Sequence, residues 1–150
     1  MSHPVVVSVN ISEQKGTRKH PLQGPVTITM LGMQGDAHAG DWHRQLSLLA
    51  QESIDRMQGH GLVLKPGDFA ENITTQGLDL LTLPVGTRLQ VGAVTMEVTQ
   101  IGKECHLGCE IRKLVGDCVM PREGIFARVI TAGTIQAGDP ITIISRGGTA

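Results

Sequence analysis

The chain has 150 residues, with 13 basic side chains against 14 acidic ones. That length suits one domain able to bury a core without disulfide staples. Near-neutral charge and few aromatic faces (Trp42, Phe69, Phe126 and no tyrosine) argue against a single-strand nucleic-acid platform, which needs positive charge and stacking surfaces together.

The first run, "VVVSVNIS", is β-branched, ends at the turn-like "EQKG" and predicts a strand. No basic region precedes it, and Ser8 and Asn10 interrupt its apolar character, so it does not read as a signal peptide. No later stretch is long or apolar enough to span a bilayer. A cytoplasmic, reducing setting is therefore expected, and an odd number of cysteines argues against a disulfide framework. "VTITMLG" alternates around Thr27 and Thr29 and runs into Gly32 and Gly35, a second strand signal. "QESIDRMQGHG" predicts a helix over 51–58, with Ile54 and Met57 on one side and glycines to end it. "TRLQVG" and "AVTMEVTQ", separated by Gly92 and Ala93, read as a hairpin. Its second strand turns Val94, Met96 and Val98 to one face and Thr95, Glu97 and Thr99 to the other. "LGCEIRKLVG" predicts two helical turns over 108–114. "IFARVITAG", "TIQAGD" and "PITIIS" supply closing strands, and Pro140, which has no N–H for a ladder, suits a strand start or an edge. Many short strands between glycine turns, two short helices and no βαβ alternation predict a mainly β domain, a single closed or nearly closed β-barrel.

No phosphate loop, dinucleotide fingerprint or nucleophile elbow occurs. Three segments remain. "GDAHAGDWHRQLS" (35–47) packs Asp36, His38, Asp41, His43 and Arg44 between glycines. Its histidines are five apart, which excludes the helical HExxH type of zinc site. Irregular backbone beside His and Arg can offer N–H groups and cations to an anion; the plainer reading is a polar loop with solvated charges. "GDFAENITT" (67–75) could line a polar pocket with amide and hydroxyl groups that suit a heterocycle, or simply be a strand with a polar face.

The third, "IGKECHLGCEIRKLVGDC", holds all three cysteines, Cys105, Cys109 and Cys118. With His106 it makes a weak zinc signal, lacking the C-x2-C knuckle and a second pair. Cys118, in "GDCVM", fits inert packing. Cys105 follows Lys103 and precedes His106, neighbours that favour a thiolate. Lowering a thiol pKa from about 8.5 to about 6.5 raises its thiolate fraction at about pH 7.4 from roughly 7% to roughly 90%. A reactive Cys105 is the sharper expectation.

In that order, "GDAHAGDWHRQLSLLAQESI", "GDFAENITTQGLDLLTLPVGTRLQVG", "VTQIGKECHLGC" and "GIFARVITAGTIQAGDPI" resemble the motifs of MOSC domains, over essentially the whole chain as one domain, 1–150. The resemblance implies a cytoplasmic β-barrel that binds the molybdenum cofactor in its molybdopterin form, with one cysteine that carries sulfur or contacts the metal. That position is matched by Cys105, although Glu104 stands where the family has proline. Pocket walls implied by the motifs give His38, His43, Arg44 and Asn72 as cofactor-binding candidates. Arg128 joins them from a family-like motif and Arg122 on chemistry alone, because a terminal phosphate needs a fork of donors. Cys109 and Cys118 exceed the broad pattern; Cys109 is a candidate second metal ligand beside Cys105. No pyridoxal-phosphate desulfurase motif is present, so carried sulfur would come from another protein such as a cysteine desulfurase. Molybdopterin-biosynthesis proteins and molybdoenzymes are the other implied partners; nucleic acid and membrane are not. The competing reading is a non-catalytic small barrel whose Cys/His cluster binds zinc or another thiophilic ion.

Overall fold

The computed structural model describes residues 3–14, 17–56, 64–102 and 123–147. Its strands are β1 (Val5–Ile11), β2 (His20–Pro21), β3 (Val26–Thr29), β4 (Gly32–Met33), β5 (Leu46–Ala50), β6 (Ile73–Gln76), β7 (Arg88–Val91), β8 (Val94–Ile101), β9 (Ile125–Thr131), β10 (Gly133–Ile135) and β11 (Ile141–Ser145). One helix, α1 (Gln51–Arg56), and a 3-10 turn (Leu80–Thr82) accompany them. The domain is mainly β, as expected. The predicted helix over 51–58 is found for Gln51–Arg56, and the one over 108–114 falls outside the described residues.

Eight strands form one sheet in the order β11-β7-β8-β9-β5-β6-β1-β2, and β10-β3-β4 form a second. The expected hairpin joins β7 to β8, with Val91 opposite Val94. Only β5 and β6 run parallel among the paired strands described. A parallel pair needs a crossover rather than a tight turn, and here the chain from α1 to residue 72 makes it.

The two ends of the large sheet curl until they touch. β1 pairs with β6 along one edge and shares its other edge between two neighbours. Asn10 and Ile11 pair with Pro21 and His20, while Val5 bridges Pro140. Val6 N donates to Asp139 O (2.8 Å) and Gly138 N donates to Val6 O (2.7 Å). Of the closed or nearly closed barrel expected from the sequence, the described residues form not a closed barrel but a curled sheet whose first and last strands meet at one bridge. Pro140 sits at that bridge and has no N–H with which to extend a ladder.

Inside the curl, Leu46 and Leu48 of β5, Val94, Met96 and Val98 of β8, and Ile125, Ala127 and Val129 of β9 belong to one buried cluster. The predicted apolar face of β8 is therefore the core face. Ser47, Leu49 and Phe126, which alternate with these residues, are also buried but lie outside that cluster. Side chains on successive positions point to opposite faces, so the outer face of β5 and β9 is covered by loops. Among the described residues no helix is long and apolar enough to cross a membrane.

Candidate functional site

A single row of backbone pairing runs across the outer layer. Asn10 N donates to Asn72 O (2.7 Å), and Asn72 N donates to Ser47 O (3.0 Å). Ser47 pairs with Phe126, and Phe126 with Gln100. The row links β1, the residue ahead of β6, then β5, β9 and β8, so it connects the "GDFAENITT" motif to the strands that flank the cysteine segment.

Those flanking strands converge on a neck. Gly102, with φ +70°, donates its N–H to Gly124 O at 2.7 Å. Residues 103–122, and with them Cys105, Cys109, Cys118 and Arg122, lie outside the described residues. Their chain leaves and returns at this neck.

The 35–47 loop meets the sheet beside it. His43 Nε2 lies 2.8 Å from Gln100 Oε1, and Thr99 Oγ1 donates to His43 O. The Arg44 guanidinium sits between two rings, 4.8 Å from the Trp42 centroid and 5.6 Å from that of Phe126. Stacking of this kind suits a planar, weakly hydrated cation. Arg44 Nε is buried without a hydrogen-bond partner, one of three such side-chain atoms alongside Glu71 Oε1 and Thr75 Oγ1 among the described residues. A buried charged donor left unpaired is costly, which marks Arg44 as a group awaiting an acceptor.

His38 also stacks parallel to the Trp42 indole, with centroids 6.4 Å apart. Trp42 Nε1 donates to His38 O (2.7 Å). Beneath them Lys19 Nζ lies 2.8 Å from Asp36 Oδ1 and 3.1 Å from His38 Nδ1, with both the Lys19 and Asp36 side chains wholly buried. Burial pushes the Asp36 carboxyl up, but hydrogen bonds from His38 and Lys19 and the Lys19 charge outweigh it and hold it well below the ordinary range. Gly67 permits this arrangement. Its φ is +91°, its carbonyl accepts from Lys19 N (2.8 Å), and a Cβ there would strike the Lys19 carbonyl.

Asn72 occupies a different kind of place. It is fully buried; its Oδ1 accepts from Ser47 N (3.0 Å) and Ser47 Oγ (3.2 Å), and its Nδ2 donates to Asn10 O (3.3 Å). Its amide is a cross-link between strands rather than an open pocket wall. Next to it, Glu71 accepts from Gly67 N (3.0 Å) and Thr74 Oγ1 (2.7 Å) on one oxygen only. Burial, partly offset by those bonds, raises its pKa to about 7. Arg128 follows Phe126 by two positions on the outer face of β9. It is 48% exposed and pairs with Glu97 at 3.1 Å, and Arg88 binds the same carboxylate.

The 35–47 loop thus brings His43 to Gln100 and Arg44 to Phe126, with His38 on the far part of the same loop against Lys19 and Trp42. Arg128 lies two positions along β9 from Phe126, paired with Glu97, and Asn72 is buried among the strands. Sequence reasoning missed Lys19 as a site residue, since "TRKH" looks like solvated charge. It also missed Trp42, Phe126 and Gln100; the lone tryptophan of an aromatic-poor chain, set between two histidines and an arginine, was the available signal. A separate cleft of about 390 Å3 opens between α1 and residues Gly77–Leu81. It contains none of the expected residues, and its Glu52, Asp79 and Glu123 already bind Gly77 N, Leu81 N and Ser53 Oγ. Among the described residues no group of three or more His, Cys, Asp or Glu side chains is placed to hold a metal ion.

Fold and site together define a small β domain with an arginine- and aromatic-bearing loop set on the strands that flank residues 103–122. A MOSC domain family model matches residues 34–142, and the chain belongs to that family. Among curated proteins none matches the sequence. Of solved structures, YiiM from Geobacillus stearothermophilus is 22% identical with a TM-score of 0.76, over 96% of this chain and 76% of that one. YiiM from Escherichia coli is 21% identical with a TM-score of 0.72, over 99% and 73%. The YuaD protein from Bacillus subtilis is 17% identical with a TM-score of 0.70, over 92% and 94%. At these identities the likeness is one of fold.

Proposed function

We propose that this protein binds the molybdenum cofactor as molybdopterin, and that Cys105 carries sulfur or contacts the metal, in cofactor maturation or delivery. The observation that carries this reading is Arg44, whose guanidinium is stacked between Trp42 and Phe126 with Nε buried and unpaired beside the neck of the cysteine segment. A planar heterocycle ending in a phosphate needs flat apolar surfaces and a fork of donors in one place, and this corner offers both. Arg44, His38, His43 and Arg128 would hold the anionic group. Asn72 would act through Ser47 by fixing the strand on which the loop ends. When bound, the cofactor supplies the metal and its dithiolene sulfurs; Cys105, with Cys109 as a second soft ligand, would meet it from the segment that leaves at Gly102. Another protein, such as a cysteine desulfurase, would provide any sulfur carried, and molybdopterin-biosynthesis proteins or molybdoenzymes would exchange the cofactor.

The test is elemental analysis of freshly purified protein with pterin fluorescence after acid oxidation, paired with persulfide trapping on Cys105→Ala. Molybdenum with pterin in the wild type, and loss of sulfur loading in a folded variant, is the expected result. Stoichiometric zinc without pterin, or wild-type loading in Cys105→Ala, would overturn it.

A further inference from the structure

We infer that Gln100 is a positioning residue that commits the Nε2 proton of His43, so that Nδ1 is the nitrogen left to the ligand and His43 holds an anionic group only by taking up a proton there. The inference deepens the cofactor-binding reading and rests on it for the identity of the ligand that carries the anion.

The Gln100 amide is oriented by the backbone. Its Nε2 lies 2.7 Å from the Gly102 carbonyl oxygen, which has no hydrogen and can only accept. The amide NH2 must therefore point to Gly102, and Oε1 to His43 Nε2 at 2.8 Å. An amide oxygen also only accepts, so the hydrogen between Oε1 and the ring belongs to Nε2. A flipped amide would set two oxygens 2.7 Å apart at Gly102, with no hydrogen between them. A ring protonated on Nδ1 alone would set its Nε2 lone pair against Oε1. The ring is thus either neutral with Nε2–H or doubly protonated.

The strand is shaped to make this contact. Successive side chains of a strand point to opposite faces, yet Thr99 and Gln100 both reach His43. Thr99 Oγ1 donates to its carbonyl, and Gln100 accepts from its ring. The register of β8 against β9 shifts between Val98 and Gln100, and a bulge of this kind re-aims a side chain. Trp42 meets the His43 ring edge-on, with centroids 5.9 Å apart. His43 is exposed, and of its two ring nitrogens only Nε2 is bonded within the described residues. The charged groups around it among those residues are Asp41 and Arg44 on its own loop, and Glu97 and Arg128 on β8 and β9, which pair with each other at 3.1 Å. Arg44, the next residue, holds Nε without a partner. A neutral His43 would turn the Nδ1 lone pair towards an anion drawn to Arg44, whereas a proton makes Nδ1 a second, charged donor to it.

The experiment uses the full chain labelled with nitrogen-15 histidine, with sulfate as the probe because its charge stays constant over the pH range in which histidines titrate. Without ligand, on the alkaline side where the ring is neutral, long-range proton–nitrogen correlation should show His43 as Nε2–H. Sulfate added at fixed pH should convert it to the doubly protonated pattern. Sulfate affinity should fall about tenfold per pH unit on that side, the slope for one proton taken up. His43→Ala should keep weaker binding through Arg44 and lose that slope. Gln100→Met removes the acceptor and should leave a mixture of tautomers, whereas Gln100→Glu restores an acceptor and should return Nε2–H. A wild-type Nδ1–H pattern, pure Nε2–H in Gln100→Met, sulfate that does not bind, or a pH slope that survives His43→Ala would each overturn the inference. If Gln100→Met does not fold, the wild-type spectrum and His43→Ala decide. Pterin content is measured separately. Wild-type protein that meets these expectations yet purifies without pterin refutes the cofactor reading and leaves the proton placement standing; pterin bound by a protein with Nδ1–H does the reverse.

Discussion

Two motifs that both begin Gly-Asp meet different fates in this fold. In "GDFAENITT" the polar side chains turn inward: Asp68, Glu71, Asn72, Thr74 and Thr75 are all buried. Asn72 and Thr74 spend their hydrogen-bonding capacity on Ser47, Asn10 and Glu71, tying three strands together. In "GDAHAGDWHRQ" only Asp36 and Gln45 are buried, while His38 and Arg44 are half-buried and His43 is exposed. Its most telling atom, Arg44 Nε, has no hydrogen-bond partner among the described residues. Unfilled capacity alone does not separate the motifs, since Glu71 Oε1 and Thr75 Oγ1 also lack partners among the described residues. The difference is that Arg44 is only half-buried, where a ligand can reach it, while Glu71 and Thr75 are sealed inside. The closed motif supports and the open one is built to receive.

The closed motif should break hardest. Asn72→Ala strands the buried Ser47 N–H and removes the donor to Asn10 O, at about 1–3 kcal/mol for each buried group left unsatisfied. We expect a loss of about 3–4 kcal/mol, or roughly 10 °C in the melting temperature. A loss under about 1 kcal/mol in denaturant unfolding would show that Asn72 is no cross-link.

Glu71 is the imperfect member of the closed motif, and its effect depends on pH. Its pKa rises from the ordinary 4.5 to about 7 in the folded protein. Between those values the folded state keeps a proton that the unfolded state has lost, so Glu71 lowers stability progressively as pH rises from about 4.5 to about 7, and fully above that. The shift is worth about 3 kcal/mol. Glu71→Gln should stabilise the protein by roughly 2–3 kcal/mol above pH 7 and leave it nearly unchanged below pH 4.5. Asp36 runs the other way, since a depressed carboxyl gives stability that is lost only as pH falls below its ordinary 3.8. Acid destabilisation should thus persist in both proteins while the alkaline side separates them; parallel curves across the whole range would defeat the assignment.

What could be read from sequence follows the same division. The hairpin at Gly92, the inward face of Val94, Met96 and Val98, and the helix from Gln51 were legible because they rest on local period and turn chemistry. The curled closure was only half legible: strand count is local, but the bridge from Val5 to Pro140 joins the two ends of the chain. In the site, Arg44 and the two histidines stood out by residue type. Lys19 did not, because what holds a lysine of "TRKH" inside includes Asp36 and the Gly67 carbonyl, both distant in sequence. Asn72 was legible as important and illegible as structural, since nothing local says that Ser47 will take its amide oxygen.

Arg44 tests the open motif directly. Arg44→Met keeps the apolar stem against Trp42 and Phe126 and removes a donor that has no partner among the described residues. Stability should change by less than about 1 kcal/mol. Pterin co-purifying per folded protein should fall about tenfold, equivalent to about 1.4 kcal/mol of binding. In Asn72→Ala, by contrast, pterin loss should track unfolding. Full pterin retention by a stable Arg44→Met protein would erase the distinction between the motifs.

The smallest effect is expected at Ala70, where the closed motif carries a strained backbone. Ala70 has φ +66°, a left-handed conformation that crowds a Cβ against its own carbonyl. The turn is held by Ala70 N donating to Gly67 O (2.9 Å) and by Ser47 Oγ donating to Ala70 O (3.4 Å), so the residue cannot relax without losing the contacts that seat Asn72. Ala70→Gly removes the steric cost but adds freedom to the unfolded chain, and these effects partly cancel. A net gain of roughly 0.5 kcal/mol should remain, seen as a rise of about 1–2 °C in the melting temperature. Pterin content should not change, because Ala70 belongs to the supporting motif. A lower melting temperature would mean that the alanine methyl contributes packing worth more than the strain, and a change in pterin content at constant stability would mean that the two motifs are coupled through this turn.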